Sequence, residues 1–336
     1  VRPEKILVVS PSWLGDSIMA MPALYELKRQ AAGLRITVLA KPAVADVWGL
    51  CPAVDEVLEF ETGWRGMRKA VREVAAGGFD FAYVIPGSFR SAWIPFLSRV
   101  PVRRGYPGHC RRWLLTEGVC GSSAGIHQSE EAFRLLGVEP GGGLHGPLVA
   151  VPEVERDAMR QRPGLSSPAG AAPLVAMFPG AARGPSKRWP SDRFTEVGRR
   201  LAAGSMCRVV LAGSAEDRAM CEEIAGRIGS GAVSLAGLTT LRELAALLSL
   251  CHVVIANDSG GMHLAAAVGT RVVALYGLTD PRVTGPLGDG HVVLMAPGVV
   301  RDRNIPRETS AARAALEAIT ADSVHAAVLA VLGTAR

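Results

Sequence analysis

Apolar and polar residues fall in blocks along this chain, short β-branched runs each followed by a longer stretch in which apolar residues return every three or four positions. In the first half the short runs are 6–10, 35–40, 56–60 and 81–86, and the helical patterns are 16–30, 64–76 and 88–99. That order predicts a parallel sheet with crossover helices. Pro22 falls inside the first helical pattern, where its missing N–H is expected to kink the helix or restart it.

From residue 139 to 180 the text turns to Gly, Pro, Ser and Ala, which reads as a linker. Beyond it the same grammar returns, with strands expected at 174–178, 208–212, 233–235, 252–256 and 271–276 and helices at 191–203, 215–228, 241–250, 261–268 and 312–332. Thr240-Leu-Arg-Glu243 is a capping box that fixes one helix start. The chain is therefore α/β, two Rossmann-like doubly wound domains at 1–150 and 173–310, with a linker at 151–172 and a closing helix at 311–336. Ligands of such sheets bind beyond the carboxyl ends of the strands, which places the chemistry in a cleft between the domains.

Composition narrows the class. With 336 residues, 49% of them hydrophobic and 20% charged, there is material for two ordinary cores. Six scattered cysteines without Cys-x-x-Cys, and seven histidines without ligand spacing, signal neither a disulfide framework nor a metal site. No stretch approaches the roughly 18 apolar residues of a membrane span; reduced thiols in a cytoplasm are the expectation, and the chain is expected to be a monomer. The net charge of +6 invites a nucleic-acid reading, but aromatics are only 5% and 31 carboxylates are interleaved with the cations. The densest basic stretch, 99–112, carries Arg103, Arg104, Arg111 and Arg112 around Tyr106 and suits either an anionic substrate or a membrane surface.

Four segments fall at carboxyl ends of expected strands. Ser10-Pro-Ser-Trp-Leu-Gly-Asp16 is a glycine turn delivering a carboxylate at a helix start; Asp16 would repel a phosphate, so it reads as a base or an acceptor of substrate hydroxyls, the plain alternative being an N-cap. The loop from Phe178 to Pro190 carries Arg183, Lys187 and Arg188, and a Lys in a chain that otherwise favours Arg suggests a point charge for a leaving diphosphate. Ala212-Gly-Ser-Ala-Glu-Asp217 opens a helix with two carboxylates, either of which could take ribose hydroxyls. Asn257-Asp-Ser-Gly-Gly-Met-His263 reads as a strand running into an anion-binding helix start, with Asp258, Ser259 and His263 beside Gly260 and Gly261.

These segments, with Pro86-Gly-Ser-Phe-Arg-Ser-Ala92, Gly184-Pro-Ser-Lys-Arg-Trp-Pro190 and Tyr276-Gly-Leu-Thr-Asp-Pro281, resemble the ADP-heptose:lipopolysaccharide heptosyltransferases of glycosyltransferase family 9, over nearly the whole chain. Ala181 and Ala182 stand where the type I enzymes carry hydroxyl residues, which favours type II. The resemblance implies a GT-B, inverting, metal-independent transferase without cofactor. It implies Asp16 as the general base and Lys187 as the cation at the donor phosphates. Ser12, Gly15, Asp217, Asp258, Ser259, Gly260, Gly261 and His263 would complete the donor site, and Ser88, Arg90, Arg103, Arg104, Arg111 and Arg112 would serve the acceptor. The implied partners are ADP-heptose and an anionic heptosyl-Kdo2-lipid A acceptor at the inner leaflet of the inner membrane, with the final helix crossing back onto the first domain. The readings left beside it are another heptosyltransferase, lipid- or protein-directed, a sugar-nucleotide epimerase, and a non-catalytic nucleotide binder.

Overall fold

The computed structural model describes residues 4–31, 33–121, 125–141, 146–165, 172–297 and 308–333, and the chain divides into two compact units after Ala150. The first unit runs β1 (Lys5–Val9), α1 (Leu14–Gln30), β2 (Arg35–Ala40), α2 (Pro42–Gly49), β3 (Glu56–Glu59), α3 (Trp64–Gly77), β4 (Phe81–Val84), α4 (Phe89–Leu97), β5 (Val102–Gly105), β6 (Glu117–Gly118) and α5 (Gln128–Leu136). Its six strands lie in the order β3-β2-β1-β4-β5-β6, all parallel, with Ile6 in register with Ile36 on one side and Phe81 on the other. Ile6, Leu7, Val8 and Val9 are all buried, as a central strand covered on both faces requires. Helix α1 runs as one element through Pro22, so the proline does not restart it.

The second unit runs α6 (Glu153–Arg160), β7 (Leu174–Phe178), α7 (Ser191–Ala202), β8 (Arg208–Leu211), α8 (Arg218–Ile228), β9 (Ala232–Ser234), α9 (Leu241–Leu250), β10 (Val253–Asn257), α10 (Gly260–Ala267), β11 (Arg271–Tyr276), α11 (Pro281–Thr284), β12 (Val292–Met295), α12 (Ser310–Glu317) and α13 (Ala321–Gly333). Its strand order, β12-β11-β10-β7-β8-β9, repeats that of the first unit. In each sheet the winding reverses between two central strands, β1 and β4 in one and β7 and β10 in the other. Those reversals are where open α/β sheets leave a crevice for ligands.

Several elements depart from the sequence expectation. Where composition read as linker, α6 packs on α9, held by Arg242 to Glu155 (2.5 Å) and Arg162 to Glu243 (3.5 Å); residues 166–171 and 298–307 lie outside the described residues. The closing helix is two helices bent by 55°, with Thr320 Oγ1 accepting from Ser323 N (3.1 Å) at the restart. Val324, Val328 and Val331 of α13 belong to the core of the second unit. The sequence expectation sent that helix to the first domain, whereas the apolar face it buries is buried in the second. Among the described residues no single helix is long and apolar enough to cross a membrane, and all six cysteines are free.

Candidate functional site

The loop after β1 is held from beneath. Ser10 Oγ accepts from the indole N–H of buried Trp48 (2.7 Å) and donates to Pro11 O (2.7 Å). The turn then enters α1 with Trp13 at the N-cap, and no side chain caps the helix. Asp16 is thus not the cap; it lies in the first turn, where the helix dipole favours a carboxylate. Its Oδ1 accepts from Gln128 Nε2 at 2.9 Å. Gln128 is the first residue of α5, whose packing along α1 brings it there, and α5 is itself capped by His127, whose Nδ1 accepts from Ser129 N (3.2 Å). Ser12 is exposed and Gly15 half-buried on the same turn.

The loop after β4 is organised by an arginine. Arg111 is fully buried and donates through Nε to Tyr106 O (2.7 Å) and through Nη1 to Pro86 O, Ser88 O (3.0 Å) and Ser91 Oγ (3.1 Å). Burial lowers the pKa of its guanidinium, and its partners are carbonyls and a hydroxyl rather than a carboxylate. Arg111 therefore builds the loop, where the sequence reading has it serve the acceptor. Arg103 is likewise engaged internally, with Leu114 O (2.8 Å) and Val100 O (2.5 Å), and Arg104 faces Glu117 at 3.5 Å. Of the expected acceptor residues, Arg112, Arg90 and Ser88 are the exposed ones, Ser88 also capping α4 by accepting from Ser91 N (3.3 Å).

In the second unit the reversal between β7 and β10 is stapled by Asn257. Fully buried, it donates to Pro179 O (2.9 Å) and accepts from Trp189 N (3.0 Å), so the end of β10 fixes both ends of the 179–189 loop. Trp189 is in turn anchored by its indole N–H to Ile319 O (2.9 Å). The loop closes in a tight turn over Pro185–Lys187, and Lys187 Nζ meets Asp258 Oδ2 with side chains only 13% and 7% exposed. The lysine and Asp258 thus come together, as a nearly buried ion pair. Arg183 is exposed and among the described residues has no ion-pair partner.

Helix α10 begins at Gly260 without a side-chain cap; Ser259 stands at the N-cap in an extended conformation, and its buried Oγ has no hydrogen-bond partner. The first N–H groups of this helix are therefore left to another acceptor, with a dipole end equivalent to about +0.5 charge behind them. Gly261 is required by packing, since a Cβ there would lie 2.5 Å from the Phe178 ring. His263 is buried on the first turn of α10. Tyr276 ends β11 and donates to Thr284 O (2.6 Å); burial first, and the neighbouring Asp258 second, raise its pKa and keep the hydroxyl protonated.

Asp217 and Glu216, alternatives in the sequence, separate here. Glu216 is exposed. Asp217 is buried; its Oδ2 closes a capping box with Ser214 N (3.1 Å) and Oγ (2.8 Å), while Oδ1 has Arg188 Nη2 at 3.6 Å. Gly180 gives the carboxylate its room, since a Cβ there would fall 2.4 Å from both oxygens. Two residues that organise these sites, Gln128 and Arg111, were not given those roles by the sequence. Asn257 carried a signal, a polar side chain at the end of an apolar strand run.

Residues 67–309 match the model of glycosyltransferase family 9 (heptosyltransferase). The chain is 33% identical to lipopolysaccharide heptosyltransferase 2 of Salmonella typhimurium, covering 84% of this chain and 85% of that one. It is 31% identical to lipooligosaccharide heptosyltransferase 2 of Haemophilus influenzae, over 86% and 88%. Among solved structures, that of Escherichia coli ADP-heptose lps heptosyltransferase II superposes with a TM-score of 0.84 at 29% identity, covering 98% of this chain and 99% of the other.

Proposed function

Because the chain belongs to glycosyltransferase family 9, the heptosyltransferases, and has their GT-B fold, we propose that it transfers heptose from ADP-heptose in assembly of the lipopolysaccharide inner core. The relatives at 31–33% identity are type 2 enzymes, which favours the heptosyl-Kdo2-lipid A acceptor. The observation that carries the donor site is the uncapped start of α10 beside the Lys187–Asp258 pair, at the reversal of the second sheet.

In this reading Asp16, oriented by Gln128, takes the proton of an acceptor hydroxyl. The hydroxyl oxygen forms a bond to the anomeric carbon from the face opposite ADP, the bond from that carbon to the diphosphate oxygen breaks, and ADP leaves with the electron pair. Configuration inverts. Charge growing on the diphosphate is met by the N–H groups of Gly260 and Gly261, the Ser259 hydroxyl, and Lys187. Asp258 cancels the lysine when the site is empty, so Arg183 and the helix start supply the net attraction, and Asp258 aims Lys187 and accepts from sugar hydroxyls. Asp217 Oδ1, only loosely held by Arg188, is the oxygen available to a ribose hydroxyl.

Ser88, Arg90 and Arg112 remain the acceptor candidates, and the acceptor, membrane-held and anionic, places the enzyme at the cytoplasmic face of the inner membrane. Incubation with ADP-heptose and a set of truncated lipid A core acceptors tests it. Product with heptosyl-Kdo2-lipid A supports the type 2 reading. Product only with the non-heptosylated acceptor or a protein reassigns the acceptor, and binding without turnover on any acceptor overturns the transferase reading.

A further inference from the structure

The outward faces of two neighbouring helices in the first unit are used by nothing described so far. Helix α4 buries Ser91, Ala92, Ile94 and Pro95, leaves Trp93 and Phe96 half-buried against the core, and exposes Phe89 and Leu97, the four aromatic and leucine positions stacking on one helix face. Trp113 completes the patch, its ring 5.9 Å from those of Phe89 and Trp93 and 5.4 Å from that of Phe96. Three of them reach the surface, Trp113 56% exposed, Leu97 41% and Phe89 37%, with Trp93 and Phe96 beneath them.

Helix α3 packs beside α4, joined where Ser98 Oγ donates to Val71 O (3.1 Å). It shows Arg65, Arg68, Lys69 and Arg72 along one exposed face, with Trp64, 67% exposed, lying 6.0 Å from the Arg68 guanidinium. Over residues 61–113 seven exposed Lys and Arg stand against three carboxylates.

We propose that this surface docks the protein on an anionic lipid bilayer. Tryptophan and phenylalanine beside a row of cations is the chemistry an interfacial layer accepts, rings entering among the headgroups while guanidinium and ammonium groups meet phosphate. The charge decides against a second copy of this chain as occupant, because pairing the patch with itself would oppose two cationic faces. The inference rests on the reading that the acceptor is membrane-held, since a docked enzyme meets a substrate confined to the same surface.

Vesicle co-sedimentation without donor or acceptor tests docking alone, so its failure would leave the transfer reading standing. The protein is expected to partition at least about tenfold more strongly onto vesicles containing phosphatidylglycerol than onto phosphatidylcholine alone, and salt should reduce the difference. Arg68→Glu with Lys69→Glu should lower partitioning about tenfold or more, cations near such a surface each contributing about fivefold. Trp64→Ser with Trp113→Ser should do so on both vesicle types, and an unchanged far-UV spectrum and thermal melt report that each variant is folded. Equal binding to the two lipids, variants that partition as the native protein does, or a dimer in sedimentation velocity that Trp113→Ser dissolves would each overturn the proposal.

Discussion

Gln128 donates its side-chain amide to Asp16 across 112 residues of sequence, at 2.9 Å. The bond ties one carboxylate oxygen to α5, so in the proposed reaction Gln128 acts through Asp16 rather than on the substrate. Gln128→Ala is expected to lower kcat by roughly tenfold, the scale of a mispositioned base, with the KM for ADP-heptose little changed. Equal losses in donor KM would move Gln128 into the donor site and remove the positioning role.

Lys187 and Asp258 form a pair that neither can leave cheaply, because each is nearly buried. Lys187→Ala should therefore weaken the fold by about 2–4 kcal/mol as well as the donor affinity, whereas Lys187→Ala with Asp258→Ala should recover most of the stability and none of the affinity. Lys187→Arg should rescue in part, its planar fork placing the charge differently. Thermal melts and ADP titrations separate the two effects; a double variant that binds ADP like the native protein would take Lys187 away from the diphosphate.

Adjacent arginines should behave oppositely. Arg111→Ala strips the donor from Pro86 O, Ser88 O and Tyr106 O and leaves a void, so it should cost about 2–4 kcal/mol in denaturant unfolding. Arg112→Ala, at an exposed position, should leave stability within about 0.5 kcal/mol and raise the acceptor KM. Equal stability losses at the two positions would contradict this division.

The reading gives the diphosphate only fixed groups of the chain, Lys187, Arg183 and the start of α10. Transfer is accordingly expected to survive EDTA. Full loss restored by a divalent ion would show that these groups do not suffice.

Much of the sheet framework was legible because the central strands are uninterrupted apolar runs bounded by turn residues, and Thr240 marked a helix start that its hydrogen bonds to Glu243 bear out. Strands β5 and β6 were not, since two arginines occupy the middle of one and the other is two residues long. The site divided the same way. Loops at strand ends announced Asp16, Lys187 and the α10 turn, but which groups pair is tertiary: Gln128 reaches Asp16 only through the packing of α5 on α1, and nothing local distinguishes buried Arg111 from exposed Arg112.

The central claim is that Asp16 activates an acceptor for transfer from ADP-heptose, and the direct measurement is single-turnover transfer to heptosyl-Kdo2-lipid A by the native protein and by Asp16→Asn, alongside their affinities for ADP. The account predicts product with inverted anomeric configuration from the native protein, and transfer by Asp16→Asn reduced by roughly 10²-fold or more with ADP affinity intact. Near-native transfer by Asp16→Asn, or retained configuration in the product, would contradict it.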